Sequence, residues 1–176
     1  MPKTLNNQTG LTMSVTLTRA CRSDAPVIQQ LAQEIWREHY PAIISGEQIE
    51  WMLDKHYNQE ALRRQIDAPG YTFWLIQAAD QQTIGFVAVE DQGQHIHFIH
   101  KFYMSVRNSG LGSEALRMLI EMLPARPVLR LFVNRRNYKS INFYFKNGFK
   151  IRDWVDQPIE HGFVLDDFLM EYLSPA

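Results

Sequence analysis

With a single cysteine, Cys21, in 176 residues, the chain cannot close an internal disulfide. That scarcity fits a reducing compartment, and the expected location is cytoplasmic. Long hydrophobic runs are missing as well. No stretch approaches the roughly 18 apolar residues that span a bilayer. The segment Met1–Thr12 is polar and lacks the apolar centre of a secretion signal. No membrane partner is therefore expected. Nor does either charge dominate: 18 Lys and Arg stand against 19 Asp and Glu, a net charge of −1, with no Lys/Arg run. Such a chain has no basic field to hold a nucleic-acid backbone, so no nucleic-acid partner is expected. The length fits one domain without repeats or linkers. Residues 1–13 read as a flexible N-terminal tail and 14–174 as the domain.

What is present falls into two periods. Ser14 to Arg19 alternates as a first strand. Ser23-Asp24-Ala25-Pro26 opens a helix with Val27, Ile28, Leu31, Ala32, Ile35 and Trp36 on one face, stopped by Pro41. Ser45 and Asn58 cap two shorter helices. After the Pro69-Gly70 turn come three strands, Tyr71–Ala78, Thr83–Glu90 and His95–Met104, whose short connections favour an antiparallel meander. A helix carrying Leu111, Ala115, Leu116, Leu119, Ile120 and Leu123 follows, then the strand Val128–Val133. This strand–helix–strand order implies a parallel pair with a right-handed crossover. Asn137 caps a helix that ends at Asn147-Gly148, and Phe149–Val155 and Phe163–Leu173 close the chain as strands.

One stretch carries chemistry on its face. Between a strand and a helix stands Arg107-x-x-Gly110-x-Gly112. The first amides of a helix lack intrahelical partners and attract anions. Glycines let that backbone approach a phosphate, and an arginine adds a cationic fork. An ordinary glycine turn would have the same look. The second block is more specific: Leu131-Phe132-Val133-Asn134-Arg135-Arg136-Asn137-Tyr138-Lys139-Ser140-Ile141-Asn142-Phe143-Tyr144-Phe145-Lys146-Asn147-Gly148-Phe149.

Together these blocks resemble the acetyl-CoA-binding motifs of the GNAT superfamily of N-acetyltransferases, R-x-x-G-x-G/A and L-x-V-x-x-x-N-x-x-A-x-x-F-Y-x-x-x-G-F. Ser140 stands where the family usually has alanine. The resemblance runs from about Val15 to Leu173. It implies an α/β fold: a mixed, mostly antiparallel seven-stranded sheet with a splayed parallel pair and helices on both faces. It also implies acetyl-CoA as co-substrate, with no metal. Its cofactor residues would be Phe102, Tyr103, Met104, Arg107, Asn108, Ser109, Gly110, Leu111, Gly112, Ser113, Asn137 and Tyr144. Many relatives have a longer link before the motif arginine than Ser105-Val106. Either the phosphate loop is tighter here, or the strand ends earlier. Homodimers are common in the family, so a homodimer is possible.

Acetyl transfer requires a neutral amine, and a lysine-like amine has a pKa of about 10.4. Tyr144, at the family's tyrosine position, is the expected general acid. Many relatives place a carboxylate on the fourth strand where this chain has Lys101. The base candidates are His97, His100 and, more distantly, Glu90. Lys101 is expected in the acceptor site, where it would pair with a carboxylate on the substrate. Trp36 and Tyr40 are expected to line the same site, near His39 and Trp51 in sequence. Strand alternation puts His95 and His97 on one face and His100 on the other, which argues against a metal site. Asp166-Asp167 reads as strand-end polarity. The expected function is acetylation of a primary amine on a small molecule. The alternatives are a protein or peptide N-acetyltransferase and a non-catalytic CoA-binding module.

Overall fold

The computed structural model describes residues 14–107, 109–124 and 126–174, so the expected tail 1–13 lies outside the described residues. Chain order is β1 (Val15–Arg19), α1 (Ala25–His39), α2 (Gly46–Tyr57), α3 (Gln59–Ile66), β2 (Tyr71–Ala78), β3 (Thr83–Asp91), β4 (Ile96–Met104), α4 (Leu111–Met122), β5 (Val128–Asn134), α5 (Tyr138–Lys146), β6 (Lys150–Pro158) and β7 (Val164–Leu173). Single 3-10 turns precede α1 and β7. Caps set the helix starts. Ser45 Oγ accepts from Gln48 N at 3.2 Å, Asn58 Oδ1 from Ala61 N at 2.8 Å, and Asn137 Oδ1 from Ser140 N at 3.2 Å. At α1 the cap differs from expectation: Asp24 reaches back to the amide of Cys21 and closes a 3-10 turn before the helix.

The strands form one sheet in the order β1-β2-β3-β4-β5-β7-β6. Every neighbouring pair is antiparallel except β4 and β5. This is the mixed sheet with one parallel pair that the motifs imply. One face is covered by α1, α2 and α3, whose Ile28, Ile35, Trp36, Leu53 and Tyr57 pack on Phe73, Phe86 and Ala88. The other is covered by α4 and α5, whose Leu116, Leu119, Ile141 and Tyr144 pack on Val87, Val89, Leu131 and Met170. These are the first and second faces below.

β6 runs past its expected end at Val155 to Pro158, because the pairing with β7 continues to Pro158↔Val164. A proline is tolerated there since β6 is the edge strand, where a missing donor costs no ladder bond. Phe149, expected to begin β6, instead lies just before it and is buried in the second-face core.

Two irregularities shape the middle of the sheet. β4 and β5 are neighbours only at Ile96↔Val128, His97↔Leu129 and Phe98↔Arg130, although β4 continues to Met104 and β5 to Asn134. Beyond Phe98 the strands part. β4 also bulges against β3: Val89 faces Ile99 and Ala88 faces Lys101, leaving His100 as the extra residue.

Candidate active site

The parted strands leave the β5-facing edge of the end of β4 without a strand partner, and that edge contains Phe102, Tyr103 and Met104. Free main-chain donors and acceptors on such an edge can pair with an extended ligand. β4 reaches Met104, so of the two alternatives the tighter loop holds: Ser105 and Val106 alone separate it from Arg107. The turn is pinned by Ser105, whose amide donates to Ile84 O at 2.8 Å and whose hydroxyl donates at 3.0 Å.

Gly110 sits at the N-cap of α4 with φ +80, and among the described residues an added Cβ would meet nothing within 4 Å. Its requirement is therefore conformational, and the approach to the helix start stays open. At Gly112 the constraint is space, since a Cβ would lie 3.3 Å from the Phe143 ring. Leu111 is buried and anchors the turn in the core, Ser109 Oγ accepts from Leu111 N at 3.4 Å, and Ser113 Oγ accepts from Asn147 Nδ2 at 3.1 Å. The first-turn amides of α4 at this loop suit a phosphate. Asn108 lies outside the described residues. Arg107 does not stand free: its Nε donates to His39 Nε2 at 2.9 Å, tying the loop to the end of α1. His39 is held neutral by burial and by the charge of Arg107.

Tyr144 stems from α5 and packs its ring between Phe143 and Phe149 on the second face, 5.2 Å from each. Yet its hydroxyl is near enough to Tyr40 and Tyr103, which belong to the first-face packing, for the groups to influence one another's ionisation. Tyr144 stands on α5, the helix that follows the parting strand β5. Burial, and then Tyr40, push its pKa far up, so it keeps its proton at neutral pH.

On the first face an aromatic group lies over this gap. Trp36 stacks on Tyr40 at 4.2 Å and tilts against Tyr57 and Tyr103 at 5.5 and 6.1 Å. Tyr57 OH donates to Tyr103 OH at 3.2 Å. Of the two aromatics expected to line the acceptor site, Trp36 is 4 % exposed and belongs to the core beneath this group, while Tyr40 is half-buried at its surface. Trp51, further out, packs with His161 and Phe163 of the β6–β7 connection.

The bulge corrects the expected histidine placement. His95 lies in the turn before β4 with φ +62, outside the strand altogether. His97 is 4 % exposed, in the stretch where β4 still pairs with β5, and among the described residues its Nε2 has no partner. It is held inside the sheet before the strands part, a poor position for the expected base. His100 and Lys101 both face the first side, since the extra residue resets alternation between them. His100 Nε2 lies 2.9 Å from Glu90 Oε2 and 3.1 Å from Tyr71 OH, and its ring stacks on Tyr71. Glu90, distant in sequence reasoning, is thus the direct partner of His100, and that contact holds its carboxyl below the usual range. Lys101 is buried, with Nζ 4.7 Å from the Tyr57 ring centroid. Desolvation lowers its pKa to about 8.

Sequence reasoning missed Asp167. It sits on β7 opposite Asn134 of β5, on the first face, close enough to Tyr40 to raise that hydroxyl's pKa. Burial, and then Asp166, raise its own pKa to about 6, while Arg135 pulls it back. Among the described residues, no group of three or more His, Cys, Asp or Glu could hold a metal ion, and no helix is long and apolar enough to cross a membrane.

Residues 14–150 match the family model for an acetyltransferase (GNAT) domain. A spermidine N(1)-acetyltransferase of Thermoplasma acidophilum is 26 % identical over 147 residues, covering 80 % of this chain and 91 % of that protein. The PaiA N-acetyltransferase of the same organism, solved in complex with coenzyme A, superposes with a TM-score of 0.71 at 24 % identity, over 92 % of this chain and all of that one. A GCN5-related N-acetyltransferase of Rhodopseudomonas palustris gives a TM-score of 0.74 at 16 % identity, over 93 % and 99 %. With its sheet parted at β4 and β5 and most of its length matched by the family model, the chain belongs to the GNAT family of acetyltransferases.

Proposed function

We propose that the protein transfers the acetyl group of acetyl-CoA to a primary amine of a small molecule, by direct attack of the amine on the thioester. The observation that carries this is the gap between β4 and β5, with the glycine-started α4 at one side. The likeness to a named spermidine acetyltransferase supports a small-molecule acceptor.

The chain's residues fit this ligand. The unpaired edge at Phe102, Tyr103 and Met104 would hold the pantetheine amides. The turn from Ser109 to Ser113 would hold the pyrophosphate on helix amides, and Asn137, already the cap of α5, would contact the arm. Arg107 would reach a phosphate only by leaving His39. Acetyl-CoA supplies an activated acyl carbon and a good leaving sulfur. Tyr144 holds its proton at neutral pH and gives it to the departing sulfur. His100, oriented by Glu90, accepts through water the proton that the ammonium must lose before nitrogen attacks. The amine nitrogen gains the acyl bond as the carbon–sulfur bond breaks; it loses two protons in all, one to His100 before attack and one as the amide forms, which restores the proton that Tyr144 gave to sulfur.

An acceptor screen that follows thiol release tests this directly. Turnover of free small-molecule amines is expected. Turnover of peptides alone, or acetyl-CoA binding with no turnover, would refute it.

A further inference from the structure

Most charges on the first face are matched. Glu90 meets His100, Glu171 meets both Arg130 and Arg152, and Glu160 meets Lys55 above the face. Lys101 and Asp167 differ, for among the described residues neither makes an ion pair or a side-chain hydrogen bond.

Lys101 is 9 % exposed. Its ammonium rests over the Tyr57 ring, which tolerates a cation but leaves three N–H donors without acceptors. Lys55 and His56 on α2 border the same region, and the charges of Lys101 and Lys55 both weigh against protonating His56. Among the described residues the fully buried side-chain atoms without a partner are Trp36 Nε1 and His97 Nε2, so the Lys101 ammonium remains accessible and a ligand can supply its acceptor. Asp167 is its counterpart of opposite sign. It lies on the same face, opposite Asn134 at the end of β5 where β4 and β5 no longer pair. Its charged neighbours are Asp166 and Arg135, and Arg135 is engaged by Asp156.

Only β5 separates β4 from β7. The two backbones are thus about 10 Å apart at ordinary strand spacing, and more where β4 leaves β5. Phe132 of β5, 47 % exposed, lies on the face between them. Aromatic surface with a free cation at one end and a free carboxylate at the other suits a small molecule with two opposite charges. A polyamine would set its second ammonium against Lys101 and Lys55.

Given the amine acetylation proposed above, we infer that the acceptor is a primary amine that also bears a carboxylate. Asp167 receives its ammonium and Lys101 its carboxylate.

The test uses the full chain with acetyl-CoA and matched acceptors: free amino acids against their carboxamides, lysine against cadaverine, and spermidine. The acids are expected to exceed their uncharged or dicationic counterparts in kcat/KM by about tenfold or more, the scale of one charge-assisted contact. Lys101→Met should lower kcat/KM for the acids far more than for the carboxamides and so remove that preference, and Lys101→Arg should keep much of it. Asp167→Asn should lower acids and carboxamides alike. Thermal melting checks that each variant is folded. Carboxamides or spermidine used as well as the acids, or an equal loss for both sets in Lys101→Met, would overturn the inference and leave amine acetylation standing. A chain that binds acetyl-CoA but turns over no amine would overturn both.

Discussion

Replacing Tyr144 with phenylalanine removes one oxygen and leaves the packing intact. The ring sits between Phe143 and Phe149 in an aromatic stack that a phenyl group fills equally well. Among the described residues the hydroxyl makes no hydrogen bond, so its loss should cost at most about 1 kcal/mol of stability. Catalysis should suffer far more. The hydroxyl's pKa is raised by burial, so the group is protonated throughout the working range and cannot act as a base. As a proton donor to the leaving sulfur it should contribute about 10²–10⁴-fold, or roughly 3–5 kcal/mol of barrier. The expected result is a kcat lowered at least about a hundredfold, with acetyl-CoA affinity and melting temperature close to wild type. Steady-state thiol release gives kcat, calorimetry gives affinity, and melting reports the fold. A kcat within about threefold of wild type would show that Tyr144 is a packing residue and that the sulfur leaves unaided.

His39, neighboured by Arg107, Lys139 and Glu38, has its folded pKa depressed by burial and by Arg107. Its contribution to stability is therefore full above the unfolded value of about 6.5 and is lost as pH falls through the folded value. Wild type should lose melting temperature on acidification from about pH 7 to 5, and His39→Gln should lose less; identical slopes would refute this. Asp167 has the opposite sign. Its folded pKa is raised to about 6, so above the unfolded carboxylate range its ionisation opposes folding. Asp167→Asn should be more stable than wild type near neutral pH by on the order of 1 kcal/mol, with the gain vanishing below the unfolded carboxylate value. Denaturant unfolding at several pH values checks it, and a destabilised variant would show that the carboxylate has a structural partner.

Much of the fold was legible because its signals are local. Side-chain caps at Ser45, Asn58 and Asn137 and the period of each apolar face determine where those helices begin, and turn residues separate the strands. The glycine turn at Gly110 and the place of Tyr144 were legible for the same reason, as fixed spacings along one segment. What escaped depends on partners far away in sequence. The bulge that turns His100 and Lys101 to one face arises from the register of β4 against β3, and no period in β4 alone records it. The pairing of Arg107 with His39 joins a loop to a helix end 68 residues earlier. Asp167 looked like strand-end polarity because its isolation follows from which residues β5, β6 and α1 bring beside it. Trp36 was assigned to the acceptor site, yet its place on the apolar face of α1 makes it core.

The claim on which the rest depends is that the gap between β4 and β5, opened at Gly110, receives acetyl-CoA. Calorimetric titration of acetyl-CoA into wild type and Gly110→Glu tests it most directly. Wild type should bind one ligand per chain. The variant should bind none at about 1 mM, because a side chain in the left-handed position brings both backbone strain and negative charge to the helix start. No binding by wild type, or equal affinity in a folded Gly110→Glu protein, would contradict the account.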